Sequence, residues 1–301
     1  MNSLREITSK MPRKIAGQMN LLPDSVTREV EEIRFRCGQK ICLRCGIRER
    51  YLQHTITQQD LHDTLNQLIQ YSYYAYEADL ARGFVTIEGG HRVGICGRAV
   101  MKDGMPALLQ EISSLNIRFA REVRGCSRKL VPEILENGRP VNTLIISPPG
   151  CGKTTLLRDL ARELSECRFQ VGICDERSEI AGMFHGRPSF DLGPRCDVLD
   201  GCDKAWGISM LLRSMAPQVI FTDEIGKPED ISAVMQCLAS GVALITSIHG
   251  WDREDVCRSA VGKLVEKGIF RRLVFLSNEN GAGTIREIVD TSGIDREAQY
   301  A

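Results

Sequence analysis

No stretch of this chain approaches the ~18 consecutive apolar residues of a membrane-spanning helix, so none of its 301 residues is expected to cross a bilayer. The opening Met1-Asn-Ser-Leu-Arg5 lacks the apolar core of a secretory signal, so no such signal is expected. Net charge is missing too: 39 Lys and Arg balance 39 Asp and Glu. Without a basic surplus, nucleic acid is not an expected partner. A disulfide framework is also lacking. The twelve cysteines are scattered through apolar segments, which implies free thiols in a reducing compartment. Cys42-Leu-Arg-Cys45 has no second pair at zinc spacing and reads as core cysteine.

What is present is an ordinary globular composition, 43% hydrophobic and 26% charged. The length suits about two domains of roughly 150 residues each. Residues 1–140 hold 21 Lys and Arg against 16 Asp and Glu, and residues 141–301 hold 18 against 23. Either a basic front half packs on an acidic back half, of its own or a neighbouring subunit, or the split is ordinary fluctuation.

Residues 1–137 read as a small α+β domain for subunit or partner contacts. Glu31–Cys37 and Lys40–Cys45 alternate apolar and polar residues, as two strands around Gly38 do. Thr57 to Asp60 is a capping-box start. It opens a helix with Leu61, Leu65, Leu68 and Ile69 on one face, running to about Tyr76. Phe84–Glu88 and Arg92–Val100 make a hairpin about Gly89-Gly90. Ser114–Ala120 is a further strand and Arg128–Leu135 a short helix. Tyr71, Tyr73, Tyr74 and Tyr76 read as helix-capping and packing residues in preference to a stacking platform for bases. Arg50-Tyr-Leu-Gln-His54 has an R-x-x-x-H spacing met in a nucleic-acid-binding module. It falls between a strand and a helix cap and reads as chance.

Residues 138–301 are organised around Ser147-Pro-Pro-Gly-Cys-Gly-Lys-Thr-Thr155. The apolar run Val141–Ile146 leads in as a buried strand, and Leu156, Leu157, Leu160, Ala161 and Leu164 follow at helical spacing. Strand, glycine turn, Lys-Thr and helix make a phosphate-binding loop in its proper context. Gly150 and Gly152 permit the backbone angles that turn N–H groups inward, and the helix N-terminus adds its positive end. Pro148, Pro149, Gly150, Cys151, Gly152, Lys153, Thr154 and Thr155 are therefore the expected ATP contacts. Lys153 would meet the β- and γ-phosphates, and Thr154 the Mg²⁺. Ser147 stands where the pattern has its first glycine, a position that shapes the turn more than it touches phosphate.

Further strands deliver acids to the edge where ligands bind in parallel sheets. Gln170–Cys174 ends at Asp175 and Glu176, candidates for orienting the attacking water or the metal. Residues 191–203 read as a loop and Trp206–Met215 as a helix. Pro217–Thr222 then delivers Asp223, for the metal shell, and Glu224, for polarising water. Val242–His249 ends in Thr246, Ser247 and His249, placed to sense the γ-phosphate. Arg271–Ser277 and Thr284–Val289 close a hairpin around Asn278–Gly281. Repeated strand–helix units in this order predict an α/β fold with a parallel sheet.

The order of loop, acids, Asp-Glu and polar strand end resembles the RecA-like P-loop NTPase core of ring ATPases. Leu212-Arg213, Asp223-Glu-Ile-Gly226 and Thr246-Ser-Ile-His249 resemble the secretion ATPases of type II and type IV systems. That resemblance puts Glu224 on the catalytic glutamate, His249 on the His box, and Asp175 and Glu176 on the acidic box. Asp223 stands where that family has Gly, and Lys227 is displaced by Gly226 from the family's Arg. These departures join Gly89-Gly-His-Arg-Val-Gly-Ile-Cys-Gly97, Ser113-Ser-Leu-Asn-Ile-Arg118 and Cys174-Asp-Glu-Arg-Ser-Glu-Ile-Ala-Gly182. Together they resemble the family of stage III sporulation AA proteins. The resemblance implies a cytoplasmic, membrane-peripheral ATPase on the mother cell side, a homo-oligomer of hexameric ring type. Its partners would be membrane-embedded sporulation channel proteins. Arg82, Arg92, Arg98, Arg118, Arg121 and Arg213 are candidates for an arginine finger lent to a neighbour's ATP. A nucleic-acid-binding ATPase and a slow, nucleotide-gated scaffold are the rival readings.

Overall fold

A computed structural model describes residues 3–102, 104–279, 281 and 283–292. Backbone packing divides them into two units. The first takes the described residues up to Ala120 together with Gly182–Ser189; the second takes Arg121–Ala181 and the described residues from Phe190 on.

The first unit opens with three short helices, α1 (Ser3–Thr8), α2 (Arg13–Asn20) and α3 (Asp24–Glu29). Its sheet comprises β1 (Glu32–Arg36), β2 (Lys40–Cys45), β3 (Arg48–Thr55), β4 (Phe84–Ile87), β5 (His91–Lys102) and β6 (Met105–Arg118). These strands pair antiparallel in the order β3-β2-β1-β6-β5-β4. Period-2 alternation sends Ile33, Phe35, Ile41, Leu43, Val93, Ile95, Leu115 and Ile117 into one core. Helix α4 (Gln58–Leu68) packs Leu61, Leu65 and Leu68 into that core, and α5 (Glu77–Ala81) follows.

Thr57 does cap α4: its hydroxyl accepts from Asp60 N, and its own N–H donates back to the Asp60 carboxylate. The helix stops at Leu68, short of the expected Tyr76, because Gln70 and Tyr71 take left-handed backbone angles. Tyr73–Tyr76 form a separate 3₁₀ turn. Tyr76 packs against the core, while Tyr71, Tyr73 and Tyr74 are exposed. Arg50 to His54 lie on the edge strand β3, not in a connection, and the last strand begins at Met105, not Ser114.

In the second unit the expected helix at Arg128–Leu135 is instead a run of turns with a 3₁₀ turn at Pro132–Ile134. The chain then forms a small ladder of β7 (Leu135–Glu136) and β8 (Arg139–Pro140). It continues through β9 (Thr143–Ser147), α6 (Lys153–Glu166) and β10 (Val171–Asp175). Strands β11 (Met183–Phe184) and β12 (Arg187–Pro188) pair within the segment that belongs to the first unit. Next come β13 (Cys196–Asp200), α7 (Lys204–Ser214), β14 (Val219–Glu224), α8 (Asp230–Ser240) and β15 (Ala243–His249). The last elements are α9 (Arg253–Cys257), α10 (Gly262–Glu266), β16 (Arg272–Ser277) and β17 (Thr284–Asp290).

The sheet order is β13-β10-β14-β15-β9-β16-β17, parallel throughout except for the antiparallel edge strand β17. Central strands buried on both faces explain the continuous apolar runs at Leu144–Ile146, Val219–Phe221 and Leu244–Ile245. Cys196–Asp200, expected as loop, is an edge strand pairing only with β10 among the described residues. Asn280, in the turn of the expected closing hairpin, lies outside the described residues.

The units divide at Ala120–Arg121, where the sequence pattern points to residue 137. The intervening segment is tied to α6: the Gly125 and Ser127 N–H groups donate to the Asp159 carboxylate at 2.9 and 2.8 Å, and Leu130 and Ile134 are fully buried.

Candidate functional site

Three adjacent strands, β14, β15 and β9, end together, and β10 lies beside β14. Register pairs Glu224 with Ser247 and His249 with Ser147, so the loop after β9 and the ends of β14 and β15 share one sheet edge. That edge is the C-terminal one, where α/β sheets bind ligands.

The loop has the geometry its sequence demands. Gly150 and Gly152 have φ of +80° and +86°, angles that disfavour any side chain. A Cβ built on Gly150 would meet nothing within 4 Å, so the backbone faces open space at the turn's apex. Gly152 caps α6, and Lys153 is its first residue, with Thr154 and Thr155 in the first turn. Ser147 is buried at the end of β9 and lies outside the positive-φ region, so no glycine is needed there. Across the fold, Gly283 N–H donates to Cys151 O at 2.7 Å and so seats the β16–β17 turn on the loop.

Lys153 is buried and donates to Ser147 O at 3.0 Å and Pro148 O at 3.5 Å. Its Nζ lies 2.7 Å from His249 Nδ1, and His249 Nε2 lies 3.0 Å from Glu224 Oε2. Burial lowers the Lys153 pKa, with the Glu224 carboxylate opposing that shift. The structure thus joins Lys153, His249 and Glu224 in one chain of contacts. Thr246 Oγ1 donates to Asp223 O at 2.7 Å and fixes β14 against β15.

The other acids divide into two roles. Asp175, with no solvent exposure, accepts from the N–H groups of Glu179, Ile180 and Ala181 at 2.9, 3.0 and 2.8 Å. Burial pushes its pKa up to about 7, against the amide donors that favour the ionised form. Its oxygens are committed to the turn after β10 and not to the loop. Arg158, from α6, clasps the same turn, donating to Ile180 O at 2.7 Å and Glu179 O at 2.6 Å. Its guanidinium lies 3.5 Å from the centre of the Phe190 ring.

Glu176 and Asp223 meet at Lys204, which hydrogen-bonds Glu176 Oε2 and lies 3.0 Å from Asp223 Oδ1. Burial pushes the Asp223 pKa up to about 6, with Lys204 restraining the rise. Sequence reasoning missed Lys204. The sequence pattern began this helix at Trp206, whereas the structure makes Lys204 its first residue, where the dipole disfavours a cation unless acids stand near.

Of the arginine candidates, Arg98 and Arg118 engage Glu111 at 3.4 Å and Glu32 at 3.6 Å, and Arg92 lies over the Phe84 ring at 3.9 Å. Arg82, Arg121 and Arg213 are exposed.

Mg²⁺ takes octahedral oxygen ligands and is usually held by one or two carboxylates together with phosphates. The Thr154 hydroxyl and the Asp223 carboxylate suit that chemistry. Among the described residues no group of three or more His, Cys, Asp or Glu forms a ready-made metal cage.

A parallel sheet with a glycine-bearing loop at its C-terminal edge and a glutamate ending a nearby strand is the arrangement of the RecA-like P-loop fold. Solved structures share the fold, two of them as follows. The ATPase DotB of Legionella pneumophila aligns with TM-score 0.60 at 16% identity, covering 91% of this chain and 80% of that one. The pilus retraction motor PilT with bound ADP aligns with TM-score 0.59 at 15% identity, covering 90% and 83%. Residues 2–296 match the family described as Sporulation stage III, protein AA, and the chain belongs to that family. It is 42% identical over 296 residues to Stage III sporulation protein AA of Bacillus subtilis strain 168, covering 96% of both chains. Among the described residues no helix is long and apolar enough to cross a membrane.

Proposed function

We propose that this protein is a Mg²⁺-dependent ATP hydrolase that works as a ring, a hexamer, and energises the mother cell–forespore channel complex from the cytoplasmic face. The observation that carries the hydrolase reading is the chain Lys153–His249–Glu224 at the mouth of a glycine-bearing loop. Family membership and the secretion-ATPase fold support the role in sporulation.

In this reading the backbone N–H groups of 148–155 and the N-terminus of α6 hold the phosphates, and Lys153 reaches the β- and γ-oxygens. Thr154 and Asp223 hold Mg²⁺, which when bound neutralises charge on the terminal phosphates. Glu224 accepts hydrogen from the attacking water. His249 orients that carboxylate and registers whether Lys153 is engaged. Glu176 steadies Asp223 through Lys204, and Asp175 shapes the turn that carries Glu176. One of Arg82, Arg92, Arg98, Arg118, Arg121 and Arg213 serves the ATP of a neighbouring subunit. The partners are membrane-embedded sporulation channel proteins.

Steady-state ATP hydrolysis and nucleotide binding by two variants test the site. Lys153→Ala should lose both, whereas Glu224→Gln should bind ATP and not turn it over. Undiminished hydrolysis by either variant would rule the assignment out.

A further inference from the structure

Lys204 is a cation where two effects oppose one. It begins α7, whose dipole repels positive charge, and it is only 4% exposed. Its partners explain its presence. Cys174 pairs with Thr222 across β10 and β14, so the strand ends carrying Glu176 and Asp223 lie side by side. The Lys204 ammonium touches both carboxylates. Lys227 and Arg177 act on Glu176 from outside this trio, and Glu179 acts on Asp223.

We infer that Lys204 is the resident counter-cation of this acid pair and keeps divalent metal out until a triphosphate brings it in. The inference rests on the reading of Asp223 as the carboxylate that faces Mg²⁺. An ammonium 3.0 Å from Asp223 Oδ1 puts a full positive charge where a dication must approach. In a poorly solvated site that repulsion is strong. The ammonium also cancels one of the pair's two negative charges, leaving too little to strip water from a hard dication. A triphosphate supplies the missing negative charge and oxygen ligands, and the metal enters with it. Lys204 acts through Glu176 and Asp223; it is a positioning residue that couples metal entry to nucleotide entry.

Mn²⁺ is the probe, with free ion followed by electron paramagnetic resonance, on the full chain at about pH 8. Nucleotide binding is measured separately with a fluorescent ATP analogue, in EDTA and with Mg²⁺ present. Wild type and Lys204→Arg should bind Mn²⁺ weakly alone and at least about tenfold more tightly with a non-hydrolysable ATP analogue bound. Lys204→Gln and Lys204→Met should bind Mn²⁺ alone at least about tenfold more tightly than wild type. Neutral variants with unchanged or weaker Mn²⁺ affinity overturn the inference. So does a wild type with bound analogue that binds Mn²⁺ no better than nucleotide-free protein. If neither neutral variant folds by circular dichroism, nucleotide-free wild type decides: Mn²⁺ bound as tightly as by the analogue free in solution overturns the inference. Failure to bind nucleotide both in EDTA and with Mg²⁺ present would sink the ATPase reading, whereas tighter Mn²⁺ binding by the nucleotide-free Gln variant would stand without it.

Discussion

His249 Nε2 lies 3.0 Å from Glu224 Oε2, while Nδ1 of the same ring lies 2.7 Å from Lys153 Nζ. An ammonium has no lone pair, so Nδ1 accepts from Lys153 and Nε2 carries its hydrogen toward Glu224. One imidazole in one tautomer therefore connects the loop's cation to the strand-end carboxylate. Lys153 has three hydrogens, and Ser147 O, Pro148 O and His249 take them up. A phosphate reaching Lys153 must displace one of these acceptors.

Removing the bridge should separate binding from turnover. His249→Ala keeps the loop and Lys153, so nucleotide affinity should change by less than about threefold. Turnover should fall by about 10- to 100-fold, less than the ~10²–10⁴-fold expected when Glu224→Gln removes the proposed base. Turnover numbers and nucleotide Kd measured side by side decide. A His249→Ala protein with wild-type turnover would make the histidine a bystander.

The second unit should carry an acid-sensitive joint at Asp159. Its carboxylate accepts from Gly125 N, Ser127 N and Oγ, and the Arg162 guanidinium. Burial acts to raise its pKa, but the Ser127 amide, Arg162 and the Gly125 amide bring it down to about 2 from the ordinary 3.8. The side chain is 3% exposed, so solvent screens these bonds little. Because the folded-state pKa is the lower one, the unfolded chain takes the proton first as pH falls. The stabilisation is whole above about pH 4 and drains away toward about pH 2. Asp159→Asn should cost about 2 kcal/mol at neutral pH and about half as much near pH 3. Urea unfolding at the two pH values measures this; an equal cost at both would show that the carboxylate's charge is not what matters.

The strands of the parallel sheet were legible because burial on both faces leaves unbroken apolar runs, as at Leu144–Ile146. The edge strands β3 and β13 were not. Arg48, Glu49 and Arg50 face solvent, and Cys196–Asp200 is only partly buried, so neither shows a clean period. The end of α4 hid for another reason: Gln70 and Tyr71 adopt positive φ with no glycine to announce it. At the site, Lys153, Glu224 and His249 could be found because each begins or ends a recognisable element. Asp175 could be found by the same rule, yet its partners are amides of the turn that follows, which no residue type encodes. Lys204 reaches its acids across elements from 28 and 19 positions away in sequence, by its number against Glu176 and Asp223. Only the folded chain brings them together.

Gly207 should resist enlargement. It lies on α7, where Ala would ordinarily be preferred by about 0.5–1 kcal/mol. A Cβ there would sit 2.6 Å from both Cys174 Sγ and Cys202 Sγ, neither at the end of a long, yielding side chain. Overpacking of this kind costs about 1–3 kcal/mol and outweighs the helix gain. Gly207→Ala should therefore lower the melting temperature, and Cys202→Ala in the same chain should recover part of the loss. A more stable Gly207→Ala protein would mean that α7 moves freely away from β10.

The turn that carries Glu176 is gripped from two sides, and loosening either should be read first in stability. Asp175 Oδ2 takes Ile180 and Ala181 N–H while Oδ1 takes Glu179 N–H; Arg158 holds the Glu179 and Ile180 carbonyls. Asp175→Asn turns one oxygen into a donor facing a donor, so at least one buried amide loses its acceptor. The expected cost is about 2–3 kcal/mol. Arg158→Lys keeps the charge but loses the planar fork that meets two carbonyls, and should cost about 1–2 kcal/mol. Urea unfolding gives both values. Turnover of the folded Asp175→Asn protein then separates support from chemistry. Hydrolysis recovering to within about threefold of wild type under stabilising conditions fits a turn-holding role. Normal stability with turnover lost would return Asp175 to the reacting water.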